Sequence, residues 1–211
     1  MKTCSVKIER RSYSFHQGMT ILEAALETQS CVQEYRQVSL PVLYYLKGVV
    51  DIDESGVCVV EADGEVVNAS KTRIREGMEI FTASENVIAA RKKALSKILE
   101  SHNKDCIHCF RNTECELQNL LHTYGFTNES TLAEKDFQEI DLTSKVLVRD
   151  NNKCIRCKRC INVCAKIQAV SAIAATDDGK QTTIAPASPL GLAAASCVNC
   201  GQCVAVWPTG A

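Results

Sequence analysis

The run Cys154-Ile-Arg-Cys157-Lys-Arg-Cys160-Ile-Asn-Val-Cys164 constrains this chain more than any other stretch of it. Thiolates in C-x2-C-x2-C-x3-C spacing wrap a [4Fe–4S] cube. A second run, Cys197-Val-Asn-Cys200-Gly-Gln-Cys203-Val-Ala-Val-Trp207-Pro208, repeats that spacing with tryptophan at its last ligand position. In a two-cluster arrangement the fourth Cys of each run ligates the other cluster. The rule assigns one complete site to Cys164, Cys197, Cys200 and Cys203. The other site keeps Cys154, Cys157 and Cys160, with Trp207 where the fourth thiolate belongs. An indole cannot ligate iron. The outcomes are a [3Fe–4S] cluster, a [4Fe–4S] cluster with water or another exogenous ligand, or an empty pocket; a three-thiolate cluster is the reading adopted. Zinc is the competing metal, but zinc sites pair two CxxC units rather than crossing a fourth ligand between runs.

A further ligand set is His102-x3-Cys106-x2-Cys109-x5-Cys115. His102 follows a long basic helical pattern, and Cys115 lies in the capping turn of the next, so a helix–loop–helix would close on a cluster. A neutral imidazole in place of a thiolate makes such a site less negative and raises its potential. The alternatives are a surface His102, or zinc held by the three Cys with His108.

Composition sets the bounds. Thirteen Cys with only five Phe, five Tyr and one Trp in 211 residues make a poor ordinary core, so metal is expected to supply much of the order. A net charge of −1 argues against a nucleic-acid binder. No apolar run reaches spanning length, and Met1-Lys2-Thr3 leads directly into a strand pattern without a signal peptide. Clustered Cys without a secretion signal point to a reducing compartment, and cytoplasmic is the expected location.

Along the chain, Cys4, Val6 and Ile8 alternate with polar residues, Arg10-Arg11 make a turn, and Tyr13 and Phe15 begin a return strand. Thr20-Ile-Leu-Glu23 is a capping box opening a helix. Val57–Glu61 and Glu65–Asn68 flank the hairpin signal Asp63-Gly64, and Met78–Phe81 makes a last strand. From Glu85 to Leu99, Val87, Ile88, Ala94, Leu95, Ile98 and Leu99 form an apolar stripe opposite Arg91, Lys92, Lys93 and Lys97. That polar face is read as solvated, with an acidic partner as the alternative. A second capping box, Thr113-Glu-Cys-Glu116, starts a helix carrying Leu117, Leu120, Leu121 and Tyr124. Residues 126–144 read as linker, Val146–Arg149 as a short strand. Between the cysteine runs, Ala169–Thr176 and Gln181–Ala185 flank Asp178-Gly179 as an inserted hairpin.

The chain resembles the N-terminal iron–sulfur region of multidomain [FeFe]-hydrogenases of the NAD(P)-linked type, and the related 75-kDa-type subunit of complex I. The resemblance is carried by Leu40-Pro-Val-Leu-Tyr-Tyr-Leu-Lys-Gly48, Cys115-Glu-Leu-Gln118, Thr183-Ile-Ala-Pro186 and Ser196-Cys-Val-Asn-Cys-Gly-Gln-Cys203, and it covers essentially the whole chain. It implies an α+β protein in three parts. Residues 1–82 would be a β-grasp [2Fe–2S] ferredoxin-like domain, 83–141 a helical His/Cys3 cluster segment, and 142–211 a two-[4Fe–4S] bacterial ferredoxin-like domain. In the family, four Cys in C-x10/11-C-x2-C-x11/12-C order hold [2Fe–2S]. The matching positions here are Tyr44, Ser55, Cys58 and Ser70, so the β-grasp part is read as a scaffold whose [2Fe–2S] cluster is not expected. Cys4 and Cys31 match no ligand position and are read as small, semi-buried apolar residues.

In that family a strand and a catalytic domain follow the second run, whereas this sequence ends at Pro208-Thr-Gly-Ala211. No catalytic centre is therefore expected in the chain alone. The resemblance implies an electron relay between a flavin-containing NAD(P)H-oxidising partner and a hydrogenase-like catalytic subunit or ferredoxin. Lys153, Arg156, Lys158 and Arg159 would stabilise the reduced form of the incomplete cluster or dock an acidic ferredoxin, with plain solvated charge as the alternative. The rival readings are a fragment of a full [FeFe]-hydrogenase or formate dehydrogenase, and a degenerate structural subunit.

Overall fold

The computed structural model describes residues 2–31, 40–126, 140–177 and 182–211. The chain divides into two compact units, residues 1–43 with 52–96, and residues 44–51 with 97–211.

In the first unit, β1 (Thr3–Ile8) and β2 (Arg11–His16) form an antiparallel hairpin. Its turn falls one residue earlier than the sequence pattern suggests: Glu9 and Arg10 are both left-handed, the pairing that matches the strands' own twist. Cys4, Val6 and Ile8 point inward and their neighbours outward, so the period-2 pattern becomes a two-faced strand. Helix α1 (Ile21–Cys31) opens on the expected capping box: the Thr20 N–H donates to Glu23 Oε2 at 2.7 Å, and the Glu23 N–H to Thr20 Oγ1 at 3.2 Å. Strands β3 (Val59–Ala62), β4 (Glu65–Asn68) and β5 (Glu79–Phe81) complete a five-stranded mixed sheet of order β2-β1-β5-β3-β4, in which β5 lies parallel to β1 and antiparallel to β3. Ile8, Ile21, Leu22, Leu43, Val57, Val60, Met78, Ile80 and Leu95 are its fully buried core. Each contributes about 1.5–3 kcal/mol by leaving water.

Helix α2 (Glu85–Leu99) buries Val87, Arg91 and Leu95. Arg91 thus departs from the polar face assigned to it, while Lys92, Lys93 and Lys97 are exposed as expected and Ile88 is largely exposed. The reason is hydrogen bonding. Arg91 Nε donates to the Val57 carbonyl at 3.1 Å and its terminal nitrogen to that of Val59 at 2.6 Å, so the guanidinium satisfies acceptors at the start of β3.

The second unit has short elements. Helix α3 spans Glu116–Thr123 and starts at Cys115, not at Thr113. Thr113 is left-handed, and its N–H donates to Gln118 Oε1 at 2.8 Å, which leaves no Thr113–Glu116 capping box. The stretch Val146–Arg149 is likewise no strand; it contributes one isolated bridge, Asp141 with Arg149. After α4 (Arg159–Asn162) the chain makes a π-helical turn at Val163–Ile167, then a hairpin of β6 (Ile173–Asp177) and β7 (Thr182–Pro186), then α5 (Gln202–Ala205). The Asp178-Gly179 turn, residues 127–139 of the linker and the side chain of Cys31 lie outside the described residues. The core around the hairpin consists of Leu147, Cys160, Ala172, Ile173, Ile184, Leu192, Ala195, Cys203, Trp207 and Ala211. Half of these are alanines and thiols, and apolar area alone stabilises such a core weakly.

Candidate metal centres

The two cysteine runs adopt one backbone path twice. In the first, Arg156 and Lys158 are left-handed, with φ of 58° and 61°; in the second, Asn199 and Gly201 occupy the same two steps, with φ of 55° and 73°. Each run then enters a four-residue helix, α4 or α5. Holding Arg156, Lys158 and Asn199 left-handed costs on the order of 1–2 kcal/mol per residue. The conformation turns backbone N–H groups inward, toward an anion. The Arg156 N–H donates to Cys154 Sγ at 3.4 Å, and the Asn199 N–H to Cys197 Sγ at the same 3.4 Å.

Each run walls a cavity. Cys164, Cys197, Cys200 and Cys203 line one of about 360 Å³, together with Leu147, Val170 and Ile173. Cys164 reaches it from the π-helical turn, a device frequent at functional sites, and its sulfur accepts the Ala172 N–H at 3.2 Å. Cys154, Cys157, Cys160 and Trp207 line a second cavity of about 260 Å³, with Ile155, Lys158, Ile184 and Pro208–Thr209. Burial pushes the Cys157 thiol up to about 11 and the Cys160 thiol to about 12. Against that rise, the Trp207 side chain acts to lower the Cys160 thiol. Burial also raises Cys154, opposed by the Arg156 N–H and the guanidinium groups of Arg149 and Arg156. Thiols so poised bind metal only by releasing protons.

The third ligand set lies in the same unit. Burial raises the Cys106 and Cys115 thiols; Cys115 and Cys109 nearby raise Cys106 further, and Cys109 raises Cys115 against the backbone N–H groups of Gln118 and Leu117. Gln118 braces the loop between Cys109 and Cys115: it accepts from the Thr113 N–H and donates to Asn112 Oδ1 at 2.9 Å. His102 and His108 differ sharply. His108 is exposed, with Nδ1 2.9 Å from Asp105. His102 holds a buried Nδ1 without a hydrogen-bond partner, and burial, then the nearby Lys153 charge, lower its pKa to about 4. A neutral imidazole with an orphaned ring nitrogen fits a metal donor, which His108 does not. Among the described residues, no three His, Cys, Asp or Glu side chains already stand close enough to grip a single ion.

Segment 206–210 separates the His102–Cys115 loop from the Trp207 cavity. Cys115 Sγ donates to the Pro208 carbonyl at 3.5 Å, as does the Glu116 N–H at 3.0 Å. Arg111 donates to the Trp207 carbonyl at 2.9 Å. A Cβ at Gly210 would collide with Cys109 Sγ, so only glycine fits there. Arg159, expected to stabilise the reduced cluster, to dock an acidic ferredoxin or to be plain solvated charge, is buried and forks onto Glu116 at 2.8 and 2.9 Å. Neither Arg159 nor Glu116 stands out by spacing; a bidentate pair 43 residues apart carries no local signal.

The positions matched to [2Fe–2S] ligands are engaged otherwise. The carboxylate of Asp53, wholly buried, accepts the Leu43 N–H at 2.6 Å, the Ser55 N–H at 2.9 Å and the Ser55 hydroxyl. Ser70 Oγ accepts the Asp53 N–H at 2.8 Å and donates to Asn68 Oδ1 at 2.7 Å. Cys58 is buried and its thiol is pushed up to about 12, by burial and then by Asp53. Tyr44 falls in the second unit, where its hydroxyl donates to the Ile155 carbonyl at 2.5 Å. These oxygens are committed to hydrogen bonds, and the set does not fit a [2Fe–2S] cluster. Cys4 is buried in the sheet.

Residues 91–130 match the family described as the NADH-ubiquinone oxidoreductase-G iron–sulfur binding region, and residues 153–211 match the 4Fe-4S dicluster domain. The family matches are confined to those two stretches. It is 34% identical, over its whole length, to the HndD subunit of an NADP-reducing hydrogenase from Solidesulfovibrio fructosivorans. It is 29% identical over 98% of its length to the G 2 subunit of NADH-quinone oxidoreductase from Rhizobium meliloti, and 30% over 98% to the NADPH-Fe(3+) oxidoreductase alpha subunit of Geobacter sulfurreducens. It spans 36% of the first relative's length and 23% of each of the others. The fold is that of a chain in the crystal structure of NAD+-reducing [NiFe]-hydrogenase in the H2-reduced state: TM-score 0.77, 24% identity, 89% of this chain and 76% of that one. Among the described residues no helix is long and apolar enough to cross a membrane.

Proposed function

We propose that the chain is an electron-transfer module. One [4Fe–4S] cluster would be held by Cys164, Cys197, Cys200 and Cys203, and another by His102, Cys106, Cys109 and Cys115. A three-thiolate cluster would sit on Cys154, Cys157 and Cys160. The module divides at residues 82 and 141 into a β-grasp scaffold without [2Fe–2S], a His/Cys3 segment and a dicluster domain. Such clusters supply one-electron transfer; the protein's share is spacing, burial and hydrogen bonding of the sulfurs.

The observation that carries this reading is the duplicated loop, with left-handed residues at matched steps and N–H groups aimed at Cys154 and Cys197. Strain of that kind persists where it serves a bound anion. The partners of this reading are an NAD(P)H-oxidising flavoprotein on one side and a hydrogenase-type catalytic unit or ferredoxin on the other; relatives named as subunits of an NADP-reducing hydrogenase and an NADPH-Fe(3+) oxidoreductase support it. Free thiols in this number suit a reducing, cytoplasmic setting. The relatives' greater length equally suits this arrangement as one region of a longer hydrogenase or formate dehydrogenase polypeptide.

Anaerobic purification with iron and sulfide counting and EPR tests the proposal. Two [4Fe–4S] signals, one further species from the three-thiolate site and no [2Fe–2S] signal are expected. A clear [2Fe–2S] spectrum, or a protein with little iron, would overturn it.

A further inference from the structure

Trp207 is a lost ligand by sequence, yet its surroundings are those of a fitted part. Its side chain is buried in the core cluster that also contains Cys160. Its backbone is held from both sides, its N–H on the Val204 carbonyl at 3.2 Å and its carbonyl on Arg111 at 2.9 Å. The next residue, Pro208, takes the Glu116 N–H and the Cys115 thiol on its carbonyl. Thr209 donates to the Lys153 carbonyl at 2.7 Å. With residues 207–209 tied down by five such bonds, Trp207 does not swing out of the cavity when a cluster enters. It stands in the wall of the Cys154/Cys157/Cys160 cavity. The only polar atom of an indole is a donor, so the ring offers iron no ligand.

Resting on the three-thiolate reading above, we propose that Trp207 sets the composition of that site. The indole fills the corner where a fourth iron and its ligand would stand, so the site holds [3Fe–4S] and resists conversion to the cube. The selection is chemical. The reduced, neutral three-iron cluster plus one Fe²⁺ would give the [4Fe–4S]²⁺ cube without further electron transfer, and the indole denies that iron its place.

The test uses the whole chain, purified anaerobically, reduced with dithionite and incubated with Fe²⁺, then followed by EPR and Mössbauer spectroscopy. The native protein should keep its three-iron signal through the incubation. Trp207→Ala, which opens the corner, should convert to a four-iron cluster. Trp207→Phe, which keeps the bulk and removes the N–H, should stay three-iron. The two [4Fe–4S] signals report folding in every variant. Conversion of the native protein or of Trp207→Phe to a cube would overturn the proposal while leaving the three-thiolate reading intact. A Cys157→Ser variant that loses no signal would overturn both.

Discussion

Replacing Asp53 by Ala should loosen the first unit and leave the iron sites alone. Asp53 has no exposed surface, and its carboxylate is the acceptor for the Leu43 and Ser55 N–H groups and the Ser55 hydroxyl. The hydroxyl can turn elsewhere, but the two backbone donors cannot. Each buried donor left without a partner costs about 1–3 kcal/mol, or roughly 2–6 kcal/mol for the pair. That is a large part of the ~5–15 kcal/mol that holds a domain folded. Hydrogen exchange on the amides of β3 and β5 reads this locally, which matters in a chain with several cofactors, where one global unfolding energy is ill-defined. At about 1.4 kcal/mol per decade, a loss near 3 kcal/mol should speed their exchange roughly a hundredfold. Asp53→Asn keeps the shape and one acceptor oxygen and should show about half the loss in free energy. Cluster absorbance should be unchanged in both. If Asp53→Ala alters β3 and β5 exchange by less than about threefold, the carboxylate is not what holds the loop.

Stripping iron with a chelator should leave β3–β5 exchange unchanged while the β6–β7 amides lose protection, because the proposed cluster ligands all belong to the second unit; equal loss in both units would contradict this. Arg159→Met should destabilise the second unit by about 2–4 kcal/mol, somewhat under the usual cost of breaking a buried ion pair because Glu116 regains water; denaturation followed by cluster absorbance measures it, and Glu116→Gln, which keeps a hydrogen bond, should cost less. Gly210→Ala should drive a methyl into Cys109 Sγ and remove the signal of the His102/Cys106/Cys109/Cys115 site while sparing that of Cys164/Cys197/Cys200/Cys203. An unchanged iron count in that variant would refute the close packing.

The legible features were those written in local chemistry. The β1 alternation, the Thr20–Glu23 box, the Asp63-Gly64 hairpin and the span of α2 each depend on residues within a few positions of one another. The candidate metal donors were also legible, because ligand spacing is a property of the chain. Errors arose where a distant partner overrode a local preference. Arg91 left its polar face for the Val57 and Val59 carbonyls, and Thr113 gave up its cap when Gln118 took its N–H.

By itself the sequence determined which donor types recur at which spacing, and so the class of cofactor. It also put an indole, Trp207, where the spacing of the second run calls for a thiolate. The tertiary structure decided what the altered positions do instead. Ser55 and Ser70 are drawn into a network with Asp53 and Asn68, and Arg159 is buried against Glu116. The physical reason is common to all of them: a buried polar group must find a partner, and that partner is set by packing between segments far apart in the chain.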